Sequence, residues 1–227
     1  MYMSLKLTGK VAIMSVIRNA VCITFAALLL VTGAQIANAQ GQGEFDAASF
    51  TCLEYTNGLG VNASGKVRSQ LGHLWILGYL SGFYKASGNF EMSDEADAGD
   101  RIANIVLQTC RQFPQSSLLS VSIESLTDDT HKVPSAPTME FTPAAYTCGD
   151  HVDAKAGAAA DANKADLAGL WAFAFIQGYK NVDAPDMEIP IENKGALTSA
   201  IDNNCAKNRD MAFMDLTVLV AKVVKLQ

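Results

Sequence analysis

The stretch Leu74-Trp75-Ile76-Leu77-Gly78-Tyr79-Leu80-Ser81-Gly82-Phe83-Tyr84-Lys85 has a counterpart ninety-six residues later, Leu170-Trp171-Ala172-Phe173-Ala174-Phe175-Ile176-Gln177-Gly178-Tyr179-Lys180. At that offset Phe50-Thr51-Cys52 aligns with Tyr146-Thr147-Cys148, and one residue of slippage later Cys110 aligns with Cys205. The pattern predicts an all-α chain made of two tandem units. Each unit has about four helices around an apolar central helix and is closed by one disulfide. The units span 46–126 and 146–227.

In the first unit, Ser49 reads as the N-cap of a short helix over 50–58, ended by Gly58 and Gly60. The central helix is expected over 66–84. Leu71, Leu74, Trp75, Tyr79 and Gly82 recur at helical spacing, while Ile76, Leu77, Leu80 and Phe83 fill the other side. A helix apolar nearly all round is buried. Glycines inside it cost about 1 kcal/mol each relative to alanine, so a compensating contact is expected. Gly78-x-x-x-Gly82 answers Ala174-x-x-x-Gly178, and small residues four apart admit a second helix at close range. Trp75, Gly78, Gly82, Trp171, Ala174 and Gly178 therefore form a candidate helix-packing or client surface, the plainer alternative being glycines tolerated near a helix end. Its partner is a helix of the same unit, of the other unit, or of a second molecule. A helix over 101–110 and a last one over 116–126 complete the unit. The second unit repeats the plan, with helices over 146–153, up to about residue 180, 194–205 and 211–224. Between the units, 127–145 holds Pro134, Pro137 and Pro143 without apolar periodicity and reads as a linker.

Residues 1–39 read as a secretory signal peptide. Lys6, Lys10 and Arg18 precede an apolar core over 20–31, and Ala37-Asn38-Ala39 supplies small residues at the cleavage positions. A retained anchor is the alternative, but the apolar run falls short of the roughly 20 residues a span needs. Three of the 17 Lys and Arg and none of the 23 Asp and Glu lie in this segment. The remainder thus carries 14 basic against 23 acidic side chains, a formal charge of −9. Such a chain repels nucleic acid and, once the signal is removed, is not expected on membranes.

Export also bears on Cys52, Cys110, Cys148 and Cys205, since disulfides persist in oxidising compartments. Cys22 is expected to leave with the signal peptide, and the four cysteines that remain allow three pairings, of which the repeat selects Cys52–Cys110 with Cys148–Cys205. Zinc is a poor rival, because no Cys-x-x-Cys or paired His is present.

No catalytic residue, cofactor site or metal site is expected. His73, His131 and His151 lie in no nucleophile or zinc-protease motif. The acidic run over 91–100 fails the calcium-loop template. Asp150-His151-x-Asp153 groups three metal-capable side chains without a distant fourth.

Cys52-Leu53-Glu54-Tyr55, a Trp-rich helix, and Cys110-x-x-x-Pro114-x-x-x-Leu118 together resemble the HdeA/HdeB family of periplasmic acid-stress chaperones. The second unit keeps Cys148, Cys205 and Phe213, with Asp150 near the acidic position and Arg209 at the proline, a divergent copy. The resemblance implies a periplasmic helical protein that exposes apolar surface at low pH and holds unfolding clients. The tandem arrangement would be an internal version of the family's dimer, with a homodimer of the whole chain as the other arrangement. A second resemblance is to small periplasmic immunity proteins that block one cognate toxin enzyme, for which the acidic run over 91–100 would be a contact surface. A third reading is a non-catalytic envelope protein without chaperone role.

Overall fold

A computed structural model describes residues 45–59, 63–88, 91–93, 98–126, 132–134, 143, 145–157, 159–184 and 188–224. Phe45–Gln227 packs as one unit. The expected signal peptide over 1–39 lies outside the described residues, as does most of the expected linker.

The chain is all-α. The first half contributes α1 (Cys52–Gly58), α2 (Ala63–Ser87), α3 (Ala98–Gln112) and α4 (Leu118–Glu124). The second contributes α5 (Cys148–Ala156), α6 (Ala159–Asn181), α7 (Lys194–Cys205) and α8 (Phe213–Val223), with a 3-10 turn over Ile191–Asn193 before α7. One parallel ribbon, β1 (Glu91–Ser93) against β2 (Lys132–Pro134), was not expected. Strands of three residues are too short to show an alternating pattern. The ribbon places part of the segment read as plain linker against the first half.

Each half begins the same way. Thr51, not Ser49, caps α1: its hydroxyl accepts from the Glu54 N–H, and the Glu54 carboxylate accepts from the Thr51 N–H at 2.9 Å. Thr147 and Asp150 form the same reciprocal box at α5. A capping box satisfies two backbone donors at once, and Ser49 has no such residue three positions on. Three backbone hydrogen bonds then tie the start of each first helix to the segment that leads into the last helix of its half. In the first half Cys52 N donates to Ser116 O, Leu53 N to Pro114 O, and Leu118 N to Phe50 O. In the second, Cys148 N donates to Met211 O, Gly149 N to Arg209 O, and Phe213 N to Tyr146 O. Arg209 can stand where Pro114 stands because the bond the two positions share is accepted by the backbone carbonyl.

The disulfides join Cys52 to Cys110 and Cys148 to Cys205, the pairing read from the repeat. All four bridged cysteines are buried. Around α2 pack α1, α3 and α4; around α6 pack α5, α7 and α8; and the main contact between the halves is α2 against α6. The central helix α2 ends where Gly88 takes a φ of 80°, a left-handed conformation that a residue with a Cβ resists.

Candidate functional site

Of the predicted packing face, Gly78, Gly82, Trp171, Ala174 and Gly178 lie where α2 and α6 meet, and Trp75 is buried on α2. Both helices are apolar on nearly every side, and Leu74, Trp75, Ile76, Leu77 and Tyr79 of α2 are buried together with Trp171, Ala172, Phe175 and Ile176 of α6. A Cβ at Gly82 would collide with the carbonyl oxygen of Phe175, and would stand 2.7 Å from the Phe175 carbonyl carbon and 2.9 Å from the Tyr179 nitrogen. A Cβ at Gly178 would collide with the carbonyl oxygen of Tyr79, 2.7 Å from its carbon and 3.1 Å from the Phe83 nitrogen. Lower down, a Cβ at Gly78 would lie 2.6 Å from the Trp171 carbonyl oxygen and 3.0 Å from the Ala174 Cβ. Since Gly78 meets 171–174 and Gly82 meets 175–179, the two helices run parallel. The sequence left the partner of this face open among three choices; the structure places the other half against it.

These contacts are reciprocal. Phe175 corresponds to Tyr79, Tyr179 to Phe83 and Gly178 to Gly82 at the ninety-six-residue offset. Each glycine thus receives the carbonyl corresponding to the one its counterpart receives, which is the signature of a two-fold interface. Backbone brought this close allows Cα–H to carbonyl contacts and draws in the flanking aromatics. Trp75 stacks on Tyr79 and Trp171 tilts on Phe175, both with ring centroids 5.1 Å apart. Burial of side chains this large is worth roughly 1.5–3 kcal/mol each, which offsets the helix penalty of the glycines. Trp75 is 2 % exposed and Trp171 1 %.

One polar chain runs inside this interface. Asn181 Nδ2 donates to Tyr79 Oη at 3.0 Å, Gln177 Nε2 donates to Asn181 Oδ1 at 3.2 Å, and Ile189 N donates to Gln177 Oε1 at 2.7 Å. Burial pushes the Tyr79 phenol up to about 12, against the pull of the Asn181 bond.

Two carboxyls held below their ordinary values sit at the caps of α1 and α5. The Thr51 N–H holds the Glu54 carboxyl below its ordinary 4.5, and the Thr147 N–H holds Asp150 below 3.8. His151 is 1 % exposed and packs among the rings of Tyr146 and Phe213. Its Nε2 lies 2.8 Å from Asp202 Oδ1, whose other oxygen pairs with Lys155, and its Nδ1 is buried without a hydrogen-bond partner. Burial holds its pKa below 6.5 despite the Asp202 contact. Asp150, His151 and Asp153, grouped in sequence, thus diverge: Asp153 pairs with Arg209 at 2.8 Å. Among the described residues no three His, Cys, Asp or Glu come together to hold a metal ion. His73 lies part-buried on α2. The side chains of the acidic run over 91–100, and His131, lie outside the described residues.

These shifts fix the direction of the pH response. A histidine with a depressed folded pKa is neutral in the fold and charged when unfolded, so stability falls as pH drops below 6.5 toward the folded value. The capping carboxylates stabilise fully above their ordinary values and lose that contribution as pH falls below 4.5 and 3.8 toward the lowered folded ones. His151→Phe is therefore expected to flatten the decline in urea midpoint between about pH 7 and about pH 5, and to leave the steeper carboxylate decline below it. An unchanged slope in the upper window would remove His151 from this account.

Comparison with known proteins adds no relative: no family model, no curated protein and no solved structure matches the chain. Two disulfides fit an oxidising compartment. Among the described residues no helix is long and apolar enough to cross a membrane.

Proposed function

We propose that this chain is a non-catalytic periplasmic protein, exported by residues 1–39, that responds to acid by parting α2 from α6 and holds unfolding proteins on the faces so uncovered. It is a tandem duplication folded as an internal pseudo-dimer. The observation that carries the reading is the α2–α6 pair: two apolar helices covered by each other, in halves whose disulfides close within each half and not across it. The matching caps, the matching backbone bonds and the reciprocal glycines support the duplication.

Acid acts on this arrangement from both sides. Full protonation of the 23 carboxylates turns −9 into +14, or +17 with the three histidines, and like charge on two apposed halves drives them apart. The same protons release the boxes at Glu54 and Asp150 and load the buried His151. The disulfides keep each half closed, so acid separates the halves more readily than it unravels them. Without the polar cost of new backbone exposure, the parted helices present large aromatic surfaces suited to unfolded chains.

The test is a light-scattering assay on a client that unfolds in acid. The chain is expected to suppress aggregation between about pH 2 and about pH 4 at near-stoichiometric ratio, and to have no effect at neutral pH. Client aggregation unaffected in acid would remove the holdase reading. Tight stoichiometric capture of one enzyme at neutral pH would point instead to an immunity protein.

A further inference from the structure

A two-fold interface is complementary to a copy of itself, so the glycine contacts alone do not distinguish α6 from the α2 of a second chain. The polar chain does. At the positions corresponding to Tyr79, Asn181 and Gln177 stand Phe175, Lys85 and Ser81. If α6 paired with the α6 of another copy, the Asn181 amide would face Phe175 and lose the Tyr79 oxygen. If α2 paired with another α2, Lys85 would be carried toward Tyr79, into the buried place where the native pair holds a neutral amide. A buried polar group without its partner, or a buried ammonium, disfavours both alternatives.

We infer that Tyr79 and Asn181, with Gln177 bracing the amide, form a pairing lock that makes the first half choose the second half and reject a second copy of itself. An opened chain meets other opened chains, and all of them carry the same glycine-lined faces. The lock returns each to the unlike pairing on closure. The apolar ridge supplies attraction, and the hydrogen bond supplies the discrimination, as a single polar residue sets partner choice in coiled coils. The inference rests on the reciprocal contacts and the polar chain, so it stands or falls separately from the holdase reading.

Position 174 provides the probe. Because Gly78 and Ala174 correspond and touch, they lie on the axis of the pair. Like-with-like pairing would set position 174 of one chain against position 174 of another, where the 3.0 Å between the Ala174 Cβ and a Cβ at Gly78 has to widen by only about half an ångström to reach the roughly 3.5–4.5 Å Cβ separation of a disulfide. Native pairing sets it against Gly78, which has no thiol. The full chain carrying Ala174→Cys is opened in concentrated urea, which does not depend on the acid response, and diluted into neutral buffer with oxidised glutathione. There two thiols from two chains join and glutathione takes up their electrons and protons. Interchain dimer is expected to accumulate slowly with the lock intact. Adding Tyr79→Phe and Asn181→Lys, which makes the two helices alike at the lock, is expected to raise the rate by about tenfold or more. Tyr79→Phe alone, which removes one oxygen and keeps the ring, is expected to raise it by less. Circular dichroism reports whether each variant keeps its helices, and if the triple variant does not, the comparison with Tyr79→Phe decides. Equal rates with and without the Tyr79 hydroxyl, or fast dimerisation with the lock intact, would overturn the inference.

Discussion

Gly82→Leu and Gly178→Leu are each expected to part α2 from α6 at neutral pH and to lower stability by at least about 3 kcal/mol, the upper range for overpacking. The reason is what the added atoms would strike. A flexible side chain can swing away from an intruding methyl, but the carbonyls of Phe175 and Tyr79 belong to helix backbone and can yield only by moving a whole helix. Alanine at either site already collides, so the series Gly, Ala, Leu should fall steeply at its first step. Gly195 is the control. It lies within α7 with nothing within 4 Å of where its Cβ would be, so Gly195→Ala should be neutral or slightly stabilising, by up to about 1 kcal/mol. Urea unfolding followed by tryptophan fluorescence is the direct measurement, since Trp75 and Trp171 both leave the interface when it opens. A hydrophobic dye should bind the leucine variants at neutral pH and the parent only in acid. If the proposed function is right, the same variants should suppress client aggregation without acid. A Gly82→Leu chain with parental stability and no dye binding would mean that the close approach of α2 and α6 carries no weight.

The sequence made some of this architecture legible and hid the rest for physical reasons. Cysteine pairing followed from the offset, and the small-residue face was visible as Gly78-x-x-x-Gly82. Its partner was not visible, because a self-complementary face fits equally well on several helices; only the parallel register removes the choice. Tyr79 and Asn181 lie 102 residues apart, and nothing local connects a phenol to an amide at that distance. The lock becomes apparent only when the two helices are laid side by side. The caps were different. Thr51-x-x-Glu54 and Thr147-x-x-Asp150 stood in plain view, and choosing Ser49 overlooked the acidic residue three positions on that makes a capping box. Asp150, His151 and Asp153 misled in the opposite way. Asp150 and His151 point about 100° apart on the helix, which sends His151 to Asp202, while Asp150 and Asp153 share a face but are drawn to different partners, the Thr147 cap and Arg209. The buried Nδ1 of His151 carries no sequence signal at all, since it depends on the rings of Tyr146 and Phe213 closing over it.

Removal of one disulfide, by Cys148→Ala with Cys205→Ala, is expected to cost about 4 kcal/mol in the chain-entropy model, from a cross-link spanning 57 residues. The matching pair in the first half spans 58, so length alone predicts equal losses. The consequences should differ from a simple loss of stability, because each bridge ties the first helix of a half to the helix that precedes its last one. Without it, acid has less to undo before α5 and α7 leave α6, and α6 then loses the scaffold that presents its face. The acid midpoint of dye binding should therefore move toward neutral pH in either single-bridge variant. Recovery on return to neutral pH should also worsen, since an unravelled half must refold before α2 and α6 can re-pair. Loss of both bridges tests how the halves communicate. Separate halves would give additive losses, whereas halves that stand through α2 and α6 would couple and depart from the sum. Acid and urea midpoints in the Cys148→Ala, Cys205→Ala chain that match the parent would show that packing alone keeps each half closed, and that the bridges play no part in limiting how far the protein opens.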